Sequence, residues 1–301
     1  MTWRVVAVGP VLFALALALL AVAVPAAAAD AVRPLRVIVF GAHPDDCDLD
    51  AGGTAALWAA KGHAVKFVAL TNGDAGHQSQ GGGALAKRRR AEAQEAGRRL
   101  GIAEYEVLDN HDGELQPTLA VRGQVIRRIR EWKADLVIAP RPNDYHPDHR
   151  YTGVVVQDAA YMVVVPNVCP DTPPLERNPV FAYAQDSFQR PNPFRPDVAV
   201  AIDSVLERKL QALDAHVSQV YEWLPWVEHE LDSVPKDPAG RLAWLRALRS
   251  GQSIGVEVRA ALRKRYAAKA EAVRDAEAFE ICEYGAQPSE AELRRLFPFF
   301  D

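Results

Sequence analysis

The sequence is organised by a short apolar run, Val37–Phe40, which stops at Gly41 and leads directly into polar residues. The run contains no polar residue and is mostly β-branched, which is typical of a strand buried on both faces of a parallel sheet. The next five residues are Ala42-His43-Pro44-Asp45-Asp46. Open α/β sheets bind ligands just beyond the carboxyl ends of their strands. The chain therefore places a histidine and two carboxylates where such a fold keeps its site.

A second stretch repeats this arrangement far along the chain. The apolar run Leu136–Ala139 is followed by a polar loop and then by His146-Pro147-Asp148-His149. A helix that begins near Pro147 would place His149 in its first turn. The carboxyl ends of parallel strands lie at one edge of a sheet, so we expect the two loops to meet and to hold a catalytic metal.

The order of the predicted elements is β-α-β-α-β-α-β-α, which indicates the α/β class. We predict a Rossmann-like three-layer sandwich with a mostly parallel sheet. Residues 35–301 are predicted to form one domain, with 203–301 as a helical C-terminal elaboration. The predicted strands are 37–40, 65–70, 106–108, 136–139, 180–184 and 198–202, with 279–284 as an edge strand. The predicted helices of the first half are 48–60, 85–100, 121–132 and 151–165.

Composition and charge set limits on the class of protein. The chain has 301 residues, of which 49% are hydrophobic and 25% are charged, so it can bury a large core. The net charge of −4 gives no electrostatic support for nucleic acid as a partner. Three widely spaced cysteines exclude a disulfide framework and a cysteine-based zinc site. A single bridge between Cys169 and Cys282 is left open.

Residues 1–29 have the pattern of a signal peptide. Arg4 precedes an apolar run over 5–24, and small residues follow up to Ala29. We predict cleavage near Ala29 and a secreted or periplasmic protein. The alternative is an uncleaved membrane anchor, because the apolar run is nearly long enough to span a bilayer. Both interpretations place the catalytic domain outside the cytoplasm.

The residues of the two loops suit a hydrolytic metal centre. His43, Asp46 and His149 together provide two imidazoles and one carboxylate, which is a ligand set that leaves a fourth position open. Zinc held in this way lowers the pKa of bound water to about 7. Asp45, beside the ligands, is a candidate base for that water. His146 is a candidate donor to the developing oxyanion or to the leaving amine.

Three other interpretations of the same residues are open. One of the two aspartates, Asp45 or Asp46, could cap the following helix. Two histidines and a carboxylate are also the ligands of non-haem Fe(II) oxygenases. A non-catalytic sugar-binding protein could also keep such a pocket.

Four motifs carry a resemblance to a known family. They are Gly41–Asp46, Thr71–Asp74, Arg89–Glu92 and His146–His149. In these motifs the chain resembles the PIG-L/LmbE family of zinc-dependent N-deacetylases, and the resemblance covers 35–160 well and is weak after 200. That family acts on N-acetylglucosaminyl groups of phosphatidylinositol glycans, thiol cofactors, chitooligosaccharides and antibiotic precursors.

The resemblance implies a role for each residue that matches a motif. It implies that His43, Asp46 and His149 bind zinc, that Asp45 is the general base, and that His146 is the electrophilic or acid partner. Arg89 and Asp112 match positions that contact substrate in some members, with Arg88 and Arg90 as alternatives to Arg89 by register.

The resemblance also implies a reaction and a substrate class. The expected reaction is metal-dependent hydrolysis of an N-acetyl group on an amino sugar or its conjugate, or of another acyl amide. Zn²⁺ is the expected cofactor, with Fe²⁺ as the alternative. The expected partner is a small-molecule N-acetylated sugar conjugate, which leaves lipid-linked and cell-envelope substrates open.

Overall fold

A computed structural model of the protein describes residues 33–249 and 254–300. The predicted signal peptide, residues 1–29, and its predicted cleavage site lie outside the described residues. From Pro34 onward, the described residues belong to one compact unit. No helix in this described part is long and apolar enough to cross a membrane.

Seven strands form one mixed sheet in the order β3-β2-β1-β4-β5-β7-β6. The first five strands along the sheet are parallel, whereas β7 is antiparallel to both of its neighbours. The strands are β1 Arg36–Gly41, β2 Ala64–Thr71, β3 Glu104–Asn110, β4 Leu136–Ala139, β5 Val180–Ala184, β6 Val198–Ala201 and β7 Ala276–Gly285. The mostly parallel α/β sheet predicted from the sequence is thus confirmed.

Helices cover both faces of the sheet. They are α1 Asp46–Ala60, α2 Gly82–Leu100, α3 Leu119–Trp132, α4 Pro147–Met162, α5 Leu206–Ala215, α6 Leu224–Val227, α7 Pro238–Arg249, α8 Val256–Tyr266 and α9 Glu290–Leu296. Helices α1, α2 and α5 bury apolar side chains in one core cluster, and α3 and α4 do so in another.

The layered arrangement explains why the β1 run is apolar at every position. Successive side chains of a strand point to opposite faces of the sheet. Val37 and Val39 therefore pack in the cluster with α1 and α2, while Ile38 and Phe40 pack in the cluster with α3 and α4. Since both faces are buried, a polar residue at any of these positions would lose its contact with water.

The C-terminal part of the chain differs from the prediction in one respect. Residues 279–284 were expected at the edge of the sheet, but β7 lies between β5 and β6, and β6 forms the edge. The expectation was wrong because an apolar pattern indicates a strand but does not identify its neighbours. Residues 203–301, which were expected to form a helical elaboration, therefore also contribute an interior strand to the sheet. The cysteines are free, so Cys169 and Cys282 do not form a bridge.

Two local features place the histidine loops. At Gly41, any Cβ would lie 2.7 Å from Asp46 Cβ, so only glycine lets the chain fold back tightly enough at the end of β1. At the second loop, Pro147 occupies the first turn of α4 and His146 occupies its N-cap. The helix therefore begins early enough to place His149 in its first turn, as predicted.

Candidate active site

The two histidine loops meet at the carboxyl ends of β1 and β4. These strands are parallel neighbours, with Val39 opposite Ile138. From β1 the chain continues to β2 on one side, whereas β4 lies on the other side. Open α/β sheets form a ligand crevice at such a reversal of strand order. The two loops lie together in this crevice, as the sequence predicted.

The three predicted metal ligands converge in the crevice. His149 Nε2 lies 3.2 Å from His43 Nδ1. Asp46 Oδ2 lies 3.5 Å from each of these two nitrogens. A tetrahedral zinc ion with ligands at about 2.0–2.1 Å holds its ligand atoms about 3.3–3.4 Å apart. The three donor atoms fit such an ion in both spacing and chemical type.

Carboxylates face the second ring nitrogen of both histidines. His43 Nε2 lies 3.1 Å from Asp112 Oδ1 and 3.3 Å from Asp148 Oδ2. His149 Nδ1 lies 3.1 Å from Asp144 Oδ1. Metal-binding histidines usually direct their second nitrogen to a carboxylate or carbonyl, which fixes the ring and raises its basicity. This arrangement is a second reason to place a metal at the three converging donors.

His43, Asp112 and Asp148 also form a second group whose potential ligand atoms lie within 4.8 Å of one another. The Asp148 carboxylate, however, already accepts hydrogen bonds from two backbone N–H groups. These are Gly113 N–H at 2.7 Å and Leu115 N–H at 3.2 Å. The backbone of the loop after β3 therefore holds the Asp148 carboxylate in its position facing His43, while Asp112 Oδ2 lies 3.5 Å from Arg89 Nη1.

The carboxylates of the centre favour positive charge on the histidines. Burial alone would lower the pKa of His43, but Asp112, Asp148 and Asp46 outweigh burial and raise it well above its usual value. Burial also opposes charge on His149, and Asp46 raises the pKa of that ring to about 9. The crevice is therefore an electrostatically favourable place for a cation.

Neither aspartate of the first loop caps α1 with its side chain. Asp45 occupies the N-cap position, but its carboxylate makes no capping hydrogen bond. Asp46 Oδ2 instead accepts hydrogen bonds from the N–H groups of Ala42 and His43, both at 2.8 Å. The capping interpretation is thus wrong for these carboxylates, and the loop backbone holds Asp46 in place.

A buried guanidinium connects Asp45 to the rest of the centre. Asp45 is 6% exposed and Arg89 is 2% exposed. Arg89 Nη2 donates a hydrogen bond to Asp45 Oδ1 at 2.9 Å, and Nη1 lies 3.5 Å from Asp112 Oδ2. One cation therefore lies between the predicted base and a carboxylate that faces His43. The predicted contacts of Arg89 and Asp112 with substrate stay predictions.

The neighbouring arginines point away from the centre. Arg88 forms a bidentate ion pair with Glu222, with both distances at 2.8 Å. The side chain of Arg90 is 41% exposed and lies 3.8 Å from Asp109. The sequence left Arg88 and Arg90 as alternatives to Arg89. Among these three arginines, Arg89 is the one whose side chain enters the site.

His146 is placed as a hydrogen-bond donor beside the converging histidines. Its Nδ1 accepts a hydrogen bond from Asp148 N–H at 3.2 Å, so the neutral ring carries its proton on Nε2. Its ring centroid lies 4.7 Å from that of His43, and the ligand nitrogens of His43, His146 and His149 lie within 4.8 Å of one another. Burial, followed by the charges of His43 and His149, lowers the pKa of His146.

Sequence reasoning assigned no role to Asp144 or Asp148. Asp148 lies inside a motif that was recognised, but only the fold brings it within reach of His43. Asp144 accepts a hydrogen bond from His146 N–H at 2.8 Å as well as facing His149. Its only signal in the sequence is its position two residues before His146 in the same polar loop.

Comparisons with known proteins identify the family of this chain. Residues 38–160 match the family model described as PIG-L, GlcNAc-PI de-N-acetylase. The diacetylchitobiose deacetylase of Thermococcus kodakarensis is 32% identical over 202 residues, which cover 64% of this chain and 73% of the relative. The chain belongs to the PIG-L family. The resemblance read from the four motifs is thus confirmed.

Two further comparisons extend the similarity of this PIG-L protein. A probable N-acetyl-alpha-D-glucosaminyl L-malate deacetylase 2 of Bacillus cereus is 29% identical over 220 residues, covering 70% of this chain and 94% of the relative. The solved N,N'-diacetylchitobiose deacetylase of Pyrococcus horikoshii has a TM-score of 0.61 and 26% identity, covering 82% of this chain and 83% of the other. All three relatives are named as deacetylases of N-acetylated amino sugars.

Proposed function

We propose that this PIG-L protein hydrolyses the acetamide group of an N-acetylated amino sugar, or of a conjugate of one, in a metal-dependent reaction. The convergence of His43 Nδ1, Asp46 Oδ2 and His149 Nε2 at 3.2–3.5 Å carries the proposal. Zinc suits these donors, and Fe(II) is the alternative because it accepts the same ligand types. The deacetylase relatives support the acetyl group as the acyl group that is removed.

Asp45 is the base in this proposal. His43, Asp46 and His149 would hold the zinc ion, which would supply a Lewis acid and would lower the pKa of bound water to about 7. Asp45 lies between the ligands His43 and Asp46 in the first loop and takes the proton from the attacking water. Arg89 donates to Oδ1 of Asp45, which fixes the carboxylate and leaves its other oxygen for the proton.

His146 stabilises the charge that develops on the substrate. The N–H group at its Nε2 can donate a hydrogen bond to the carbonyl oxygen as that oxygen becomes negative. The nitrogen of the sugar leaves as an amine and must gain a proton. Asp45 can return the proton that it took from the water, so the reaction produces acetate and a free amine.

Acetate release tests the proposal. The substrates are N-acetylglucosamine, diacetylchitobiose and an N-acetylglucosaminyl malate, and a second panel carries longer acyl groups. We expect release that stops when a chelator removes the metal and returns when zinc or iron is added. If none of these amides is hydrolysed in a metal-dependent manner, the proposal is wrong. Oxygen consumption with iron would instead support the oxygenase.

Three variants test the assigned roles. We expect Asp45→Asn to keep its metal and to lose activity by about 10²–10⁴-fold, which is the usual contribution of a positioned acid or base. We expect His43→Ala to lose the metal as well. His229→Ala, at an exposed position outside the centre, is the matched control. Metal content and acetate release are measured for each, and normal turnover by Asp45→Asn would show that the base lies elsewhere.

We also propose that the reaction takes place outside the cytoplasm. The signal-peptide pattern of residues 1–29 supports this location. Mass spectrometry of the protein from its producing cells should find a mature chain that begins near residue 30. A chain that retains residues 1–29 in a membrane fraction would favour the anchor, and a full-length cytoplasmic chain would contradict both.

A further inference from the structure

A π-helical turn, Ser218–Trp223, lies between α5 and α6. Turns of this kind are rare and occur frequently at functional sites. Residues 218–221 of the turn are buried, so their side chains face the body of the protein rather than solvent. The four family motifs all lie before residue 150 and therefore assign no role to the turn. Its contacts show what the C-terminal part of the chain contributes to the candidate centre.

Charged side chains of α2 connect the turn to the helix that carries Arg89. Arg88 donates two hydrogen bonds to the Glu222 carboxylate, both at 2.8 Å. Glu92 accepts hydrogen bonds from Ser218 N–H at 3.0 Å and from Ser218 Oγ at 2.5 Å. Hydrogen bonds to charged groups are roughly twice as strong as neutral ones. Two neighbours of Arg89 in α2 therefore hold the turn, while Arg89 itself enters the centre.

Two side chains of the turn hold the loop that follows β2. Gln219 is 3% exposed, and its Nε2 donates a hydrogen bond to the carbonyl oxygen of Gly76 at 3.0 Å. Glu222 Oε2 lies 2.8 Å from His77 Nε2. Nδ1 of His77 accepts the N–H groups two and three residues further along the loop, both at 3.1 Å. The neutral ring of His77 therefore carries its proton on Nε2 and donates a hydrogen bond to Glu222.

The same loop forms one wall of the space that holds Arg89. Arg89 Nη1 donates a hydrogen bond to the carbonyl oxygen of Gly73 at 3.3 Å. At Gly76, a Cβ would lie 2.9 Å from Arg89 Nη1 and 3.1 Å from Asp112 Oδ2. The loop backbone thus approaches both the guanidinium and a carboxylate that faces His43. A displacement of Gly76 would move both groups or remove their support.

The position of Arg89 determines the orientation of Asp45. Arg89 Nη2 donates a hydrogen bond to Asp45 Oδ1 at 2.9 Å, whereas its Nε has no hydrogen-bond partner among the described residues. The guanidinium is therefore held through its two Nη groups, and the loop after β2 contacts one of them. A displacement of about 1 Å in a catalytic group can cost about 10²-fold in rate. Loss of the support for this loop should therefore slow the reaction.

The amide group of Gln219 is not available to a substrate. Besides its bond to Gly76, Nε2 donates to Ser218 Oγ at 3.3 Å, so both N–H groups of the amide have acceptors. The side chain is also buried. Gln219 therefore acts on the centre through the loop and does not bind the substrate itself.

We propose that Gln219 is a positioning residue, which holds the backbone of Gly76 against Arg89 and thereby keeps Asp45 oriented for its role as the base. The inference rests on the proposed function for the role of Asp45 in the reaction. It adds that the C-terminal part of the chain, through one π-helical turn, determines the geometry of a base that lies at the end of β1.

Gln219→Met tests the proposal, because methionine has a similar length and donates no hydrogen bond. The assay is acetate release from the acetamide that the wild-type protein hydrolyses fastest. We expect kcat to fall about tenfold, with KM and metal content unchanged within about twofold, because the residue orients the base and does not bind substrate. In the Asp45→Asn background the same substitution should lower kcat by less than about twofold, because the base is already absent.

A general loss of structure would lower kcat in both backgrounds. An unchanged kcat in Gln219→Met, or an equal fall in both backgrounds, therefore overturns the inference. If Gln219→Met does not fold, Gln219→Asn takes its place and is judged in the same way. Its amide is one methylene group shorter and cannot reach Gly76 from the same backbone position.

The matched control is Tyr221→Phe, on the same turn. The Tyr221 hydroxyl donates to Asp214 Oδ1 at 2.8 Å, and its ring packs against Trp244 of α7. The substitution therefore removes one buried hydrogen bond from the turn on the side away from the loop. It should lower Tm about as much as Gln219→Met and leave kcat within about twofold of wild type. An equal fall in kcat in the control overturns the inference.

Hydrogen exchange gives a readout that does not depend on activity. In Gln219→Met, the amides of residues 74–80 should exchange at least about tenfold faster than in wild type, with or without metal, and Tyr221→Phe should leave them unchanged. Unchanged exchange in Gln219→Met overturns the inference whatever the activity. Absence of acetate release by the wild-type protein would instead refute the proposed hydrolysis, and exchange would still decide whether Gln219 holds the loop.

Discussion

Replacing Arg89 by methionine would test whether its guanidinium stabilises the candidate centre. Arg89 is 2% exposed, and its donors reach Asp45 Oδ1 at 2.9 Å and the carbonyl oxygen of Gly73 at 3.3 Å. Methionine has a similar length and can fill the space, but it donates no hydrogen bond. The substitution therefore leaves the Asp45 and Asp112 carboxylates buried without the cation that they share.

The size of the effect follows from the burial of the pair. Removing one partner of a buried ion pair costs about 3–5 kcal/mol. In a domain of this size, each kcal/mol lowers Tm by about 2–4 °C, so we expect Arg89→Met to lower Tm by about 6–20 °C. Thermal unfolding should be followed by circular dichroism on chelator-treated protein, because a bound metal would also compensate the charge of Asp45.

A matched control and a double variant complete the experiment. Arg90→Met changes the next residue of the same helix, where the side chain is 41% exposed, and should change stability by no more than about 0.5 kcal/mol. Combining Arg89→Met with Asp45→Asn removes one of the uncompensated charges and should restore part of the lost stability. A fall of less than about 2 °C in Arg89→Met would refute the reasoning.

Two further predictions concern the surroundings of α1. Gly53→Ala should destabilise the protein by about 1–3 kcal/mol, because the new Cβ would lie 2.8 Å from Ile202 Cγ2. Gly52→Ala meets only ordinary contacts from 3.5 Å and should gain up to about 1 kcal/mol of helix propensity. Urea unfolding compares the two, and the reverse order would contradict the packing argument. Burial lowers the pKa of His216, but Asp48 at 3.0 Å outweighs burial and raises it above the usual 6.5. The His216–Asp48 pair therefore makes its full contribution to the free energy of unfolding below about pH 6.5. That contribution is lost as the pH rises through the pKa of His216 in the folded state. The difference in unfolding free energy between wild type and His216→Gln should narrow as the pH rises above about 6.5, and a constant difference would contradict this assignment.

The sequence was sufficient to predict the central part of the fold and the loops of the candidate site. The β1 and β4 runs are recognisable because both faces of these strands are buried, which removes polar residues from them. The histidine loops are recognisable because each of these two strands is followed, within ten residues, by a cluster of histidine, proline and aspartate. These signals are local, and each can be read within about fifteen residues.

The features that the sequence did not reveal depend on distant contacts. Nothing near Asp144 or Asp148 shows that each faces a histidine, because that contact depends on how two loops lie in space. The choice of Arg89 over its neighbours depends on the rotation of α2 against the sheet. The place of β7 was predicted wrongly for the same reason, since pairing between strands far apart in sequence leaves little trace in either strand.

The place of β7 in the sheet determines when β6 can pair during synthesis of the chain. Among the described residues, β7 is the only strand that pairs with β6, and Ala201 pairs with Ala276. During synthesis, β6 therefore leaves the ribosome well before its partner exists and must wait for the last part of the chain. A protein truncated before Ala276 would lack β7 and leave β6 without its partner strand, although every predicted metal ligand would remain. Premature termination near the C-terminus should thus produce an aggregation-prone chain with a complete set of ligands.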